Sequence, residues 1–379
     1  MDKHTDWIRQ DIVHLCHAGL DAITLRVELI RRVRTLVPID VAFFATIDPA
    51  TLLFTSAIAD DILEQATPQF LHNEFMQDDL HKFRHLARSQ KPVGGLNAVT
   101  RGELERSPRY REILAPLALG DELRAVLRLD GACWGVLCLH RERTSPAFTP
   151  AEVAHLAHLS PHMAEGLRTA LLVGSSVASH APDGPGVLVL TNNLEVVALT
   201  PAAGRWLAEI AVSDQPQASP LPRAVTAVAA RLREIERGDL GAMDLLPRVR
   251  LRTASGRWLV MHASRLAGTV QAGQIAIVME EAQPAEVAPL IVQLYGLSPR
   301  ERAITQLVLR GLSTAEIAGE LCISTNTLQD HCKAMFGKVG VNSRRELVAQ
   351  IFGRHYLPQI KAGSPPGAYG RFSTPAAPE

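Results

Sequence analysis

Cysteine is scarce in this chain, with five in 379 residues, at Cys16, Cys133, Cys138, Cys322 and Cys332. The number is odd and no two form a C-x-x-C, which argues against a disulfide framework or a structural zinc site and fits a reducing cytoplasm. Cys133 and Cys138 lie five apart in a strand-like run, a spacing that sends them to opposite faces. Long apolar runs are also missing. Nothing approaches the roughly 18 residues of a membrane helix, and the opening Met1 to Asp11 lacks the apolar core of a signal peptide. A soluble, cytoplasmic protein without a membrane partner is expected. Net charge is absent as well, with Lys+Arg and Asp+Glu both at 39. That balance hides an uneven placement. Residues 291–357 carry eight Lys/Arg against five Asp/Glu, residues 1–290 carry 29 against 33, and residues 358–379 carry two against one. A mildly basic C-terminal module therefore follows an acidic body. Walker loops, Rossmann glycine fingerprints, zinc spacings and G-x-S-x-G are all lacking, so no enzyme class, catalytic residue, cofactor or metal is expected.

Length and composition are those of two to three globular domains of about 100–200 residues each. The first segment, 1–172, opens with helical text from Trp7 to Leu36 and continues into an alternating strand, Asp40 to Asp48. Two further alternating runs, Glu122–Leu129 and Cys133–His140, flank Asp130-Gly131, the strongest short-range hairpin signal. Thr149-Pro150-Ala151-Glu152 then reads as a capping box with proline at the first helical position. A linker is expected at 173–185. Segment 186–285 repeats the α+β character, with a hairpin turned at Thr191-Asn192-Asn193, helices near Thr200-Pro201 and over Leu221–Glu236, and a second hairpin turned at Ser255-Gly256. A last strand runs from Gln274 to Glu280. The tail 358–379 is rich in Pro, Gly, Ser and Ala and reads as disordered.

Residues 297–353 are the most informative. Ser298, Ser313 and Ser343 each precede a glutamate by three residues, at Glu301, Glu316 and Glu346, the pattern of a capping box. Ser324 caps a further helix, and Gly340 stops it. Only Cys322-Ile323-Ser324 separates the second and third helices, which suits the angled turn of a helix-turn-helix. Ile304, Leu307, Val308, Ile317, Leu321, Leu328, Met335, Val339, Leu347, Val348 and Ile351 form the expected core. On the third helix, Leu328, Cys332, Met335 and Val339 fall on one stripe, and Asn326, Gln329, Asp330 and Lys333 on the other. Such a polar stripe with a cation suits the major groove, where amides and ammonium groups meet base edges and phosphates. An ordinary solvated helix face has the same pattern.

The runs Leu297-Ser-Pro-Arg-Glu-Arg302, Gly311-Leu-Ser-Thr-Ala-Glu-Ile-Ala318, Ile323-Ser-Thr-Asn-Thr-Leu328 and Lys338-Val-Gly-Val-Asn-Ser-Arg-Arg-Glu-Leu-Val348 closely resemble the C-terminal DNA-binding domain of LuxR-type transcriptional regulators. The resemblance covers about 55 residues and implies an all-α, four-helix helix-turn-helix domain over 290–357. It implies double-stranded DNA as partner, a homodimer, a small-molecule effector and a contact with RNA polymerase. Carried over position by position, Gln329, Asp330 and Lys333 stand where the family reads base edges, and Thr327, His331 and Lys338 stand near phosphates or support the helix. Thr325, Asn326 and Arg344 complete the implied DNA-contact set. The family usually has a basic residue where Gln329 stands, and here an acidic Asp330 follows it, so the phosphate contribution should be weaker. Gln can instead pair with adenine and Asp can accept from cytosine.

More distantly, residues 1–172 resemble a GAF-type sensor through Glu122–His140 and Ala147–Val153. Residues 186–285 resemble a PAS-type domain. The expected fold is thus α+β and multidomain, with GAF-like and PAS-like antiparallel-sheet sensors ahead of the helical module. The ligand-binding residues are not identified by the sequence. The alternative is a small-molecule sensor whose helical module mediates protein contacts, an idea motivated by Asp330 and the modest basic charge. Other features read as ordinary. His14 and His17 could share a helix face, but Cys16 points away from His14 and no third metal ligand is evident. Asp60-Asp61 and Asp78-Asp79 read as solvated loop acids, Arg141 and Arg143 as strand-end surface charge, Trp134 as core or pocket wall, and Trp206 and Trp258 as core.

Overall fold

The computed structural model describes residues 3–172, 184–211, 221–238, 246–267 and 273–351. The expected linker, apart from Gly184 and Pro185, and the expected tail lie outside the described residues, as do 352–357. The chain divides into two units, the first built from residues up to 175 together with 184–280, the second including residue 281 onward. Among the described residues, no helix is long and apolar enough to cross a membrane.

In the first unit, helices α1 (Lys3–Cys16) and α2 (Ala22–Leu36) precede strands β1 (Val41–Asp48) and β2 (Leu53–Ala59). Helices α3 (Asp61–Glu64), α4 (Thr67–Met76) and α5 (Phe83–Leu86), strand β3 (Val93–Gly95) and helix α6 (Leu96–Thr100) lead to β4 (Leu119–Leu129), β5 (Ala132–Glu142) and α7 (Pro150–Ala170). The sheet order is β2-β1-β5-β4-β3, antiparallel throughout. Asp130 and Gly131 both take positive φ, 51° and 80°, which is why that dipeptide turns the β4–β5 hairpin. Thr149 and Glu152 form the expected reciprocal cap of α7. The helical text Trp7–Leu36 is two helices, broken where Gly19 takes φ 70°. Cys133 and Cys138 do not face opposite ways. The register slips at Trp134, between the pairs Leu127–Gly135 and Arg128–Cys133, and both thiols join the same buried core with Val136.

The second sheet follows from β6 (Gly186–Leu190), β7 (Val196–Leu199), helices α8 (Pro201–Ala211) and α9 (Arg223–Glu236), and strands β8 (Arg248–Arg252), β9 (Trp258–Arg265) and β10 (Ile275–Glu281), in the order β7-β6-β10-β9-β8. Helix α9 is buried nearly all round, from Arg223 through Leu232, because it packs against β2 and α4 on one side and β9 on the other. The two sheets accordingly share one hydrophobic core. Asp48 at the end of β1 accepts from the Arg250 amide at 2.9 Å and from Arg250 Nη2 at 2.7 Å, which fastens β8 to the first sheet. Arg141 is not surface charge. It is buried, donates to the Pro38, Pro146 and Ala147 carbonyls and pairs with Glu152 at 2.5 Å. Asp79 is likewise buried rather than solvated, and accepts from Asn73, Ser107 and the Arg109 amide. Trp134, Trp206 and Trp258 are buried, as expected.

The second unit, among its described residues, is helical. It comprises α10 (Pro284–Leu294), α11 (Pro299–Leu309), α12 (Thr314–Glu320), α13 (Thr325–Val339) and a last helical stretch over 344–351. Helix α10 was not legible in the sequence and spans residues 285–290, where one α+β segment was expected to end and the helical one to begin.

Candidate nucleic-acid interface

Serine caps position α11, α12, α13 and the last helical stretch. Ser298 Oγ accepts from the Glu301 amide at 3.3 Å while Glu301 returns to the Ser298 amide at 2.7 Å, and Ser313 with Glu316 repeats the arrangement at the same distances. Ser343 Oγ takes the Glu346 amide at 3.1 Å, but the Glu346 carboxylate reaches one residue further, to the Asn342 amide at 2.8 Å. Ser324 accepts from the Thr327 amide at 3.1 Å and starts α13, and Gly340, at φ 74°, ends it.

The α12–α13 turn is a Schellman closure. The Ile323 amide donates to the Ala318 carbonyl and the Cys322 amide to that of Gly319, with Cys322 left-handed at φ 53°. Three residues thus redirect the chain, and Arg300 Nη2 bonds the Leu321 carbonyl at 2.6 Å to hold the turn against α11.

Leu328, Met335 and Val339 of α13 are buried, as are Ile304, Leu307 and Val308 of α11, Ile317 of α12, and Leu347 and Ile351, and α13 packs against both α11 and α12. Thr305 Oγ1 lies 2.8 Å from Met335 Sδ, a polar contact inside that core. Leu321, Cys332 and Val348 are only half-buried, whereas Leu297 and Val341, which lie outside the helical stripes, are buried.

The polar face of α13 points outward. Thr325, Asn326, Thr327, Gln329, Asp330 and Lys333 are all exposed, at one end of the helix. Asn326, Gln329, Asp330 and Lys333 share one stripe at helical spacing. Thr327 Oγ1 lies 2.9 Å from Ser324 Oγ and belongs to the cap as well as to the face. His331 is half-buried beside that stripe. Lys338 is turned to another task, because its Nζ bonds Glu301 Oε2 at 2.7 Å. Arg344 stands apart on the last helical stretch and donates to the Val308 carbonyl at the end of α11 at 3.4 Å. Six of the nine expected contact residues are therefore presented together and exposed, one is half-buried beside them, and two are engaged elsewhere within the unit. Glu301 is not legible in the sequence as a buried anchor, because a capping glutamate is normally solvated.

The first unit holds a small cavity of about 30 Å3, lined by Phe43, Leu63, Phe70, Cys138, His140 and Arg109 among others. In its wall Glu122 is fully buried between two guanidiniums, accepting from Arg109 Nε at 2.7 Å and Arg124 Nε at 3.0 Å. Burial alone would raise its carboxyl, but those two cations hold it well below the usual range. Burial pushes His140 down to about 4, so its imidazole stays neutral. Its Nδ1 has no hydrogen-bond partner among the described residues.

The family profile of the bacterial regulatory proteins of the luxR family matches residues 296–351, the whole of the capped region just described. An HTH-type transcriptional regulator encoded in the exeN 3′ region of Aeromonas salmonicida is 39% identical over 61 residues, 16% of this chain and 31% of that protein. The spore germination protein GerE of Bacillus subtilis is 36% identical over 55 residues, which are 14% of this chain and 74% of GerE. A solved VqmA–ligand–DNA complex from Vibrio cholerae is similar at 17% identity over 46% of this chain and 84% of that one. Its TM-score of 0.23 does not establish a shared fold. This chain spans under a third of the Aeromonas protein, so the similarity is that of the C-terminal module. Through that module, the chain belongs to the luxR family of bacterial regulatory proteins.

Proposed function

We propose that this protein is a transcription regulator that binds double-stranded DNA, as a homodimer, through the exposed face of α13. The observation that carries the reading is the outward stripe Asn326, Gln329, Asp330 and Lys333 on a helix whose opposite stripe is buried and whose start is fixed by the Ser324 cap. Gln329, Asp330 and Lys333 meet base edges. Thr325, Asn326, Thr327 and His331 lie toward the backbone phosphates, with Arg344 near them, and Lys338 supports the helix. In this reading 1–172 is a GAF-like sensor, 186–285 a PAS-like domain and 290–357 the DNA-binding module. A small-molecule effector enters the cavity of the first sheet and shifts the equilibrium of the DNA-binding module. The cavity holds about two waters at its present size, so an effector of metabolite size displaces its lining side chains. Contact with RNA polymerase and a place in the cytoplasm belong to the same reading.

A second reading, protein contacts in place of DNA, draws on the exposed Asp330. Salt titration of full-length protein on labelled duplex separates the two. Release of counterions makes the logarithm of DNA affinity fall with slope of about −0.9 per phosphate engaged. A steep fall is expected, and no binding at low salt, or binding indifferent to salt, would remove the DNA reading.

A further inference from the structure

The end of α1 is pressed against α7. A Cβ at Gly166 would lie 3.0 Å from the Cys16 carbonyl oxygen and 3.1 Å from Cys16 Cα, so a glycine is what lets the backbones approach this closely. That approach sets His17, the first residue beyond α1, over His162 and Glu165, which stand three apart and share a face of α7. One donor atom from each of His17, His162 and Glu165 lies within 4.8 Å of the others. The rings of His17 and His162 stand 6.4 Å apart, edge to face.

We propose that His17, His162 and Glu165 bind a divalent transition-metal ion of borderline character, with zinc as the simplest case. Two imidazoles and a carboxylate are the donors such an ion prefers, whereas calcium and magnesium take oxygen alone. Bonds of about 2.1 Å place the ligands of a tetrahedral ion about 3.4 Å apart, so the three tips close on the ion by side-chain rotation. His17 is exposed and the other two are half-buried, which gives the ion a path from solvent and leaves its fourth position to water.

The surroundings fit. Among the described residues, Glu165 is engaged only by a long bond from Arg168 Nη2, at 3.3 Å, and Arg168 has Asp130 at 3.7 Å as another partner. The ring of His158 lies 6.0 Å from that of His162. Cys16, next to His17, is buried and is not among the three grouped donors.

A second cluster, Glu122, Cys138 and His140, is as closely grouped but does not suit a cation, because the Arg109 and Arg124 guanidiniums already occupy the Glu122 carboxylate. Occupancy of the outer site would pin the end of α1 to α7 and stiffen the helical layer over the first sheet.

The test uses untagged full-length protein stripped with chelator, titrated with zinc by calorimetry and with cobalt by visible absorption. One ion per chain is expected, with a cobalt spectrum free of thiolate charge-transfer bands and a rise in melting temperature on binding. His17→Gln and His162→Gln should each weaken affinity about tenfold or more and remove that rise. His17 faces solvent, so His17→Gln keeps the fold and reads the site alone. Absence of binding, unchanged affinity in His17→Gln, or a thiolate band assigning the ion to the cysteines would overturn the site.

Discussion

Lys338 Nζ lies 2.7 Å from Glu301 Oε2, so the cation near the far end of α13 is fastened to the first turn of α11. Glu301 is 4% exposed and also receives the Ser298 amide, so one carboxylate closes a helix cap and anchors the outward-facing helix. Burial would raise its carboxyl, but the hydrogen bonds from Lys338 and Ser298 hold it below the usual carboxylate range. A depressed carboxyl contributes stability above its unfolded value, here 4.5, and loses that contribution as pH falls through the folded one.

Two lysines of one helix should therefore behave differently. Lys338→Met is expected to destabilise the module by about 1 kcal/mol at neutral pH, between the values of exposed and buried pairs. That deficit should shrink as pH drops below 4.5, read by hydrogen exchange of the α11 amides. Its DNA salt slope should match that of the parent. Lys333→Ala should leave stability alone and cost about 1–3 kcal/mol on the preferred site. The opposite assignment of the two effects would place the recognition face elsewhere.

Gln329 and Asp330 sit side by side on the exposed stripe, one neutral and one acidic. Gln329→Ala should cost about 1–3 kcal/mol on the preferred site and little on unrelated DNA. Asp330→Asn should raise affinity for all sequences, because it removes an anion that the phosphates repel, and relax the preference at the base it reads. Competition binding against scrambled duplex measures both, and equal losses on all sequences for Gln329→Ala would mean it reads no base.

Cys322 occupies the left-handed position of the α12–α13 closure, where a β-carbon is strained. Cys322→Gly is expected to stabilise the unit by about 0.5–1 kcal/mol after the entropy that glycine adds to the unfolded chain. Denaturant midpoints of the two proteins decide the sign, and a loss of stability would show that the thiol contributes more than the backbone strain costs.

His140 is buried and held at about 4 against 6.5 in the open chain, so the unfolded state binds more protons between those values. Stability of the first unit should accordingly fall as pH drops from 6.5 towards 4. Above 4.5 the titration of depressed carboxylates is largely separate. His140→Leu should flatten the melting temperature over pH 6.5–4.5, and an unchanged slope would assign the acid sensitivity to other groups.

Local chemistry was legible wherever it was self-contained. Asp130-Gly131, Thr149-Glu152 and the serine caps at Ser298, Ser313 and Ser324 act through the few residues beside them, and each stands where the sequence put it. Long-range partners were not legible. Nothing near Lys338 in sequence names Glu301, and nothing near His17 names His162, because those meetings are made by helix packing. The parity of β5 was misread because a slip at Trp134 leaves no mark in an alternating pattern. Asp79 and Arg141, each next to other charged residues in the sequence, look solvated until buried partners are supplied. On α13, the sequence showed which residues share a stripe, but not that Lys338 is already engaged.

The most direct test of DNA recognition is selection from a random duplex library by the full-length protein, run beside its Lys333→Ala variant. Enrichment of a roughly two-fold symmetric site by the parent, lost or degraded in the variant, is the predicted result. A parent that enriches nothing at low salt, or a variant that enriches the same site equally well, would contradict recognition through α13.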